Sequence, residues 1–350
     1  MIFKKLKINE ITLKNRIVVA PMCQYSALDG CAEPWHYSHL SQLIRSGAGL
    51  LMIESTSVNL EGRITNKDLC IESKDNINSL QKLFLFLKSV KDIPIGIQIS
   101  HSGRKGSANI PWVKPNAPLD KSSGCWQTVS ASDMPRDTGW PKPKQLTTND
   151  IEKITDDFVA AAVSANEIGF EALEVHMAHG YLLHQFFSPI SNKRTDEYGG
   201  SLVNRSKFLL EIAREVRERW PKNKILGARV TGSDWLQNGA TIGDCVFLTT
   251  RLKNIGFDYV CVSSGGILPI TNLTFESGYQ THLSKKVKES TGIITRTAGM
   301  ITSAEQVNDI IKTKSADLVA IARKFIQNPN WLWEYDSSVA PKQYHRCLIS

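Results

Sequence analysis

The chain has 350 residues, 41% of them hydrophobic and 22% charged, with a formal net charge of +8 at pH 7. That length holds two average domains or one large α/β barrel, and the apolar share can build a sizeable core. No apolar run is long enough to cross a bilayer, and the start, Met1-Ile2-Phe3-Lys4-Lys5, lacks the apolar centre of a signal peptide, so a cytoplasmic protein without membrane attachment is expected. Lys and Arg are spread along the chain with no basic arm or helix, which disfavours nucleic acid as a partner. The seven cysteines contain no C-x-x-C pair, which argues against a disulfide framework, a zinc knuckle and an iron–sulfur cluster. Most of them read as small buried hydrophobes.

In chain order, β-rich apolar runs recur at Ile17–Ala20, Leu50–Ile53, Ile95–Ile97, Ala172–Val175, Ile225–Val230, Tyr259–Val262, Ile293–Ala298 and Leu318–Ile321. Longer segments with helical periodicity separate them. Ile151, Ile154, Phe158, Ala161, Ala162, Ala165 and Ile168 follow three- and four-residue spacing, with Asn149 and Glu152 as a candidate capping box and Gly169 as a stop. Phe208, Leu209, Ile212, Val216 and Trp220 repeat the pattern up to Pro221, and Val307, Ile310 and Ile311 mark another helix. Eight strands alternating with helices predict an eight-stranded (β/α)8 TIM barrel forming a single domain over residues 1–350. Residues 102–147, rich in Gly, Ser, Pro and Trp, read as a long ordered excursion after the third strand, and residues 329–350 as a tail packed on a surface.

In such barrels chemistry sits where strands finish. The first strand runs into Pro21-Met22-Cys23-Gln24-Tyr25, the second into Glu54-Ser55-Thr56 and the third into Gln98 and His101. The fourth delivers His176, His179 and Tyr181; the fifth carries Arg229, the sixth Ser263-Ser264-Gly265-Gly266, the seventh Gly299 and the eighth Ala322-Arg323. Singly each has a bland explanation, such as a structural ion pair for an Arg or a bend for a Gly. Together on one rim they describe a site. Two imidazoles and a phenol can bind a carbonyl oxygen and supply a proton. Backbone groups near Ser264, Gly299 and Ala322, with Arg323 as a bidentate cation, can hold a phosphate. A zinc site on Glu174, His176 and His179 is conceivable, but Glu174 would lie deep in the barrel and no further ligand completes it, so no metal is expected.

These residues carry a resemblance to the old yellow enzyme family of FMN-containing α/β barrels, strongest to its YqjM-like, or thermophilic-like, branch. The matching motifs are A-P-M-C-Q-Y-S (20–26), E-S-T-S-V-N-L-E-G-R-I (54–64), G-I-Q-I-S-H-S-G-R-K (96–105), the block 174–201, R-V-T-G-S-D (229–234), V-S-S-G-G (262–266), G-Y-Q (278–280) and Q-Y-H-R (343–346). They span almost the whole chain.

The resemblance implies FMN as cofactor and NADPH or NADH as a transient hydride donor. Arg229 and Gln98 would face the pyrimidine end of the flavin, Cys23 its N5 and O4, and Pro21, Met22 and Ser55 further ring atoms. Ser264, Gly299, Ala322 and Arg323 would hold the phosphate. It further implies reduction of α,β-unsaturated carbonyl compounds, with His176 and His179 donating to the carbonyl oxygen, Tyr181 protonating the α-carbon and Tyr25 lining the pocket. Arg346 would reach the active site of a neighbouring subunit, in a homodimer or homotetramer. A dienoyl-CoA-type reductase or a redox-neutral isomerase on the same barrel is the alternative. Ala322 stands where the family usually has Gly, Ser55 where a small apolar residue is common, and Met177 where a smaller one is; the excursion departs most, which leaves the substrate open.

Overall fold

The computed structural model describes residues 1–269 and 274–348, with the side chains of Cys347 and Leu348 left out. Eight parallel strands close into a barrel in sequential order: β1 (Ile17–Val19), β2 (Leu50–Ser57), β3 (Ile95–Ser100), β4 (Ala172–Met177), β5 (Ile225–Thr231), β6 (Tyr259–Ser263), β7 (Ile294–Thr297) and β8 (Leu318–Ile321). Nearly every strand residue is buried, because helices cover the outer face and side chains fill the inner one. That double burial explains why the strands read as continuous apolar runs rather than as alternating ones.

The α-helices are α1 (Pro34–Ile44), α2 (Lys74–Val90), α3 (Thr148–Ile168), the short α4 (Leu182–Phe187), α5 (Leu202–Arg219), α6 (Ile242–Ile255), α7 (Thr281–Thr291), α8 (Ala304–Lys312), α9 (Arg323–Gln327) and the single-turn α10 (His345–Leu348) in the tail. All seven apolar positions expected for α3 are buried, and Gly169, at φ +112°, ends it in the left-handed conformation that Gly adopts most cheaply. Burying a side chain such as Phe158 stabilises by roughly 1.5–3 kcal/mol. The cap differs from the expected one. Thr147, not Asn149, is the N-cap, and Thr147 and Asp150 exchange the reciprocal bonds expected of Asn149 and Glu152, so the helix starts earlier.

Several strands run further than their apolar cores. β2 continues through Glu54, Ser55 and Thr56 to Ser57, with a bulge between Ile53 and Ser55, and β3 includes Gln98. These polar residues lie inside the sheet because their side chains find partners there. An antiparallel hairpin, Leu6–Ile8 with Ile11–Leu13, was not expected. Its Ile8 and Leu13 pack with Val18, Leu50, Ile225 and Leu318 and plug the N-terminal end of the barrel. Three of the six described cysteines, Cys70, Cys245 and Cys261, are buried; Cys23 and Cys31 are half-buried and Cys125 is exposed, so burial accounts for half of them rather than most.

Midway up the barrel sits a polar layer. Glu174 and Arg296 are fully buried and ion-paired. Glu174 also accepts from Gln98 Nε2 at 2.7 Å and from the Tyr259 hydroxyl at 2.8 Å. Gly227 makes room for this layer, since a Cβ there would lie 2.1 Å from the Tyr259 ring.

The excursion is tied down by guanidinium groups acting on main-chain carbonyls. Arg104 donates to the carbonyls of Met134 (3.3 Å), Pro135 (3.2 Å) and Ile267 (2.9 Å), and Arg194 to those of Ala131 (3.1 Å) and Leu146 (2.6 Å). Val129–Ser130 pairs in parallel with Lys144–Gln145. The tail returns to the N-terminal rim, where Val339 lies against Gly47 and the Tyr344 hydroxyl accepts from Arg45 at 2.9 Å.

Candidate active site

The C-terminal rim gathers the expected residues from all eight strands. The segment after β1 brings Pro21, Met22, Cys23 and Tyr25, and it is fixed from behind. The Gln24 N–H donates to Glu54 Oε2 at 2.5 Å, Gln24 Nε2 donates to the Met22 carbonyl at 2.8 Å, and Glu54 Oε1 lies 3.2 Å from His36 Nε2. Tyr25 has a left-handed φ of 48° and packs edge-on against Trp112 of the excursion, ring centroids 6.0 Å apart. Burial, then Asp68 and Glu54, raises the Cys23 thiol well above its usual range, so it remains S–H.

The β4 end carries the two histidines. His176 Nδ1 accepts the Ala178 N–H at 3.2 Å, His176 Nε2 lies 3.2 Å from His179 Nδ1, and His179 Nε2 lies 2.6 Å from Ser263 Oγ. Burial, followed by the charge of Arg229, lowers both imidazoles well below their usual range, so both are neutral near pH 7. Tyr181 stacks edge-on against His176 with centroids 4.9 Å apart, and its phenol is raised well above the ordinary range, first by burial and then by Cys23 and Tyr25. It is therefore a protonated O–H donor at neutral pH.

His179 sits at φ +58°, a strained value for a residue other than Gly. The backbone around it is over-determined. A Cβ on Gly266 would lie 2.8 Å from the His179 carbonyl oxygen, and one on Gly180 would lie 2.1 Å from the Gly266 carbonyl oxygen. Lys105 Nζ donates to the carbonyls of His179 (2.8 Å) and Gly266 (3.3 Å) and lies 4.9 Å from the Tyr181 ring centre. Burial, then Arg136 and Arg104, pushes the Lys105 ammonium down to about 7.

Between β6, β7 and β8 lies a cavity of about 270 Å3 lined by Pro21, Arg229, Ser264, Gly299 and Arg323 among others. Gly299, at φ +114°, leaves space that a Cβ would fill by approaching Gln280 Nε2 to 2.7 Å and the Tyr279 ring to 2.8 Å. Arg229 makes no ion pair or hydrogen bond among the described residues, and its buried Nε has no partner. A half-buried cation whose buried Nε has no partner suits an anionic or strongly accepting ligand. Gln98, held through Nε2 by Glu174, still has its Oε1 and second N–H for a ligand edge that both donates and accepts. A flavin mononucleotide fits this donor set: a pyrimidine edge for Gln98 and Arg229, and a phosphate for Arg323 and the backbone near Gly299 and Ala322.

Glu174 is taken up by Arg296, Tyr259 and Gln98 and does not join His176 and His179. Arg346 is exposed on the tail, at the rim opposite the chain's own histidines. Lys105, Arg104, Arg136 and His36, the partner of Glu54, surround the site without having been singled out. The first two lie within the 96–105 motif, and the others are placed only by tertiary contacts.

The chain is 40% identical over 345 residues to NADH:flavin oxidoreductase FG08077 of Gibberella zeae, covering 94% of this chain and 83% of that protein. It is 37% identical over 354 residues to an NADPH dehydrogenase of Geobacillus thermodenitrificans, covering 99% of this chain and 98% of the relative. Among solved structures, a 2-naphthoyl-CoA reductase complex superposes with a TM-score of 0.86 at 20% identity over 96% of this chain, which spans about half (52%) of that longer protein and shares its fold. A profile of the NADH:flavin oxidoreductase / NADH oxidase family matches residues 1–340. The chain thus belongs to that family, the old yellow enzyme family, and is an oxidoreductase with FMN as cofactor and a nicotinamide as reductant.

Proposed function

We propose that the chain is an ene-reductase that reduces the activated C=C bond of α,β-unsaturated carbonyl compounds with NAD(P)H in two alternating half-reactions. When bound, FMN supplies the ring that takes up and returns a hydride. The observation that carries the reading is the cluster of neutral His176 and His179 with the protonated phenol of Tyr181, beside the unpartnered Arg229.

In this reading the two imidazoles hold the substrate carbonyl oxygen and stabilise the negative charge that builds on it. Each such donor contributes on the order of 3 kcal/mol. Tyr181 gives its proton to the α-carbon. Tyr25 lines the pocket and assists at the carbonyl, and Trp112 beside it closes the substrate side. Arg229 balances charge at the pyrimidine end of the cofactor, with Gln98, Ser55 and the 21–23 backbone completing the ring contacts. Ser264, Gly299, Ala322 and Arg323 form the phosphate end. One FMN-binding domain spans the chain. Arg346 serves the site of a neighbouring subunit in a homodimer or homotetramer, for which its place on the far rim is a reason.

An anaerobic absorbance titration tests this. The yellow holoprotein should bleach with NADPH and recover with 2-cyclohexenone. Bleaching without recovery would reject the enone as acceptor. Conversion of substrate with no nicotinamide present would favour an isomerase instead.

A further inference from the structure

A polarised chain of hydrogen bonds runs behind the two histidines, and its direction can be read from its ends. At one end the Ala178 N–H can only donate, so His176 Nδ1 accepts and its proton sits on Nε2. That proton points at His179 Nδ1, 3.2 Å away, which must accept; the proton of the neutral His179 ring is then on Nε2 and is donated to Ser263 Oγ at 2.6 Å. Ser263 in turn donates to Gln280 Oε1 at 3.2 Å. Gln280 Nε2 donates to the Ala298 carbonyl at 3.1 Å, which fixes the amide orientation at the other end. Ser264 donates to the same Gln280 Oε1 at 2.6 Å.

In this resting arrangement only His176, of the two facing ring nitrogens, carries a proton, and it is directed at His179 Nδ1, which presents a lone pair. A carbonyl oxygen accepts and cannot donate, so it cannot be held by both rings as they stand. We infer that Ser263 is a positioning residue that lets His179 exchange tautomers, from Nε2–H in the free enzyme to Nδ1–H when a carbonyl compound binds. In the exchange His179 gives its Nε2 proton to water and takes one at Nδ1 from water, so the net charge is unchanged. The Ser263 hydroxyl turns from Gln280 to donate to the bared Nε2. Gln280 Oε1 keeps its bond from Ser264, so the turn leaves no buried acceptor empty. A hydroxyl suits the position because it both accepts and donates.

The inference rests on the carbonyl binding at the histidine pair, and cyclohexanone and cyclohexanol form a matched pair of probes. The alcohol can accept from His176 and donate to His179, so it fits the resting tautomers; the ketone cannot. With histidine labelled by 15N in the oxidised holoenzyme, and signals assigned by their loss in His176→Asn and His179→Asn, His179 should read Nε2–H alone and with cyclohexanol. With cyclohexanone it should read Nδ1–H. Ketone binding that perturbs His176 but leaves His179 as Nε2–H overturns the tautomer exchange alone. Neither probe perturbing either ring overturns the proposed substrate site with it.

Gln280→Met provides a second measurement. It removes the acceptor that holds the Ser263 hydroxyl in its resting direction, so the ratio of cyclohexanone to cyclohexanol Kd should fall about fivefold, the worth of one neutral hydrogen bond. An unchanged or raised ratio counts against the exchange, since a merely structural role predicts equal weakening of both probes.

Discussion

Glu174→Leu removes the carboxylate from the middle layer of the barrel while roughly keeping its volume. Three donors lose their acceptor at once: Gln98 at 2.7 Å, Tyr259 at 2.8 Å and the Arg296 guanidinium. Arg296 is fully buried, its Nε already lacks a partner, and guanidinium does not give up its proton, so the charge stays uncompensated. Breaking a buried pair from one side costs about 3–5 kcal/mol, roughly a fifth or more of a total stability of about 5–15 kcal/mol. Arg296→Met should cost a similar amount from the other side. The double variant removes both charges and should lose less than either single change, because pairs replaced by apolar residues are often neutral. The assay is the urea midpoint of FMN-saturated protein, compared at unchanged m. FMN affinity is a second reading, since Gln98 loses its anchor and should bind the flavin edge less well. Losses that add in the double variant to within about 0.5 kcal/mol would refute the reasoning, because they would mean that the two groups do not depend on each other.

Tyr181→Phe keeps the ring against His176 and removes the hydroxyl; it should slow reoxidation by enones roughly 10²–10⁴-fold while leaving reduction by NADPH intact, as stopped-flow absorbance of the separate half-reactions would show. Arg229→Met should raise the FMN Kd about tenfold or more, the loss of one charge-assisted contact, measured by fluorescence quenching of free FMN. His101 is buried, with an imidazole pushed down to about 3 by burial. The unfolded chain therefore takes up this proton first, so stability holds above about pH 6.5 and falls as the pH drops toward 3. In His101→Asn, which can still accept the Gly103 N–H, the loss of stability between pH 7.5 and 5 should be smaller by about 2 kcal/mol, read from urea midpoints. Arg346→Ala should raise the KM for enones while FMN stays bound.

The barrel was legible because every strand is buried on both faces, so each left an apolar run such as Tyr259–Val262. The rim was legible because chemistry in this fold follows strand ends, which located His176, Arg229 and Gly299 from spacing alone. Polar residues continuing a strand were harder to read. Glu54 and Gln98 lie within β2 and β3, held by His36 and Glu174 from distant parts of the chain. The chain from Ser263 to Gln280 was out of reach for the same reason: both residues stood in recognised motifs, but their contact depends on how β6 meets the turn before α7. The N-terminal hairpin was missed because two three-residue strands leave no periodicity to detect.

Arg104 grips the excursion through the carbonyl oxygens of Met134 and Pro135, binding it to the Ile267 carbonyl after β6, and every amino acid has a carbonyl. The clasp is therefore blind to which side chains the loop carries. Trp126, which donates to the Glu61 carbonyl, and the buried Ala131 and Ser132 are side chains the loop relies on, whereas Trp112 and Val113, both exposed, can be exchanged without touching this clasp. A lineage can thus try new substrates by rewriting this stretch while the machinery beneath it stays in register. The same property makes the exposed residues 112–115 a natural library for directed change, with Arg104 as the position to leave alone.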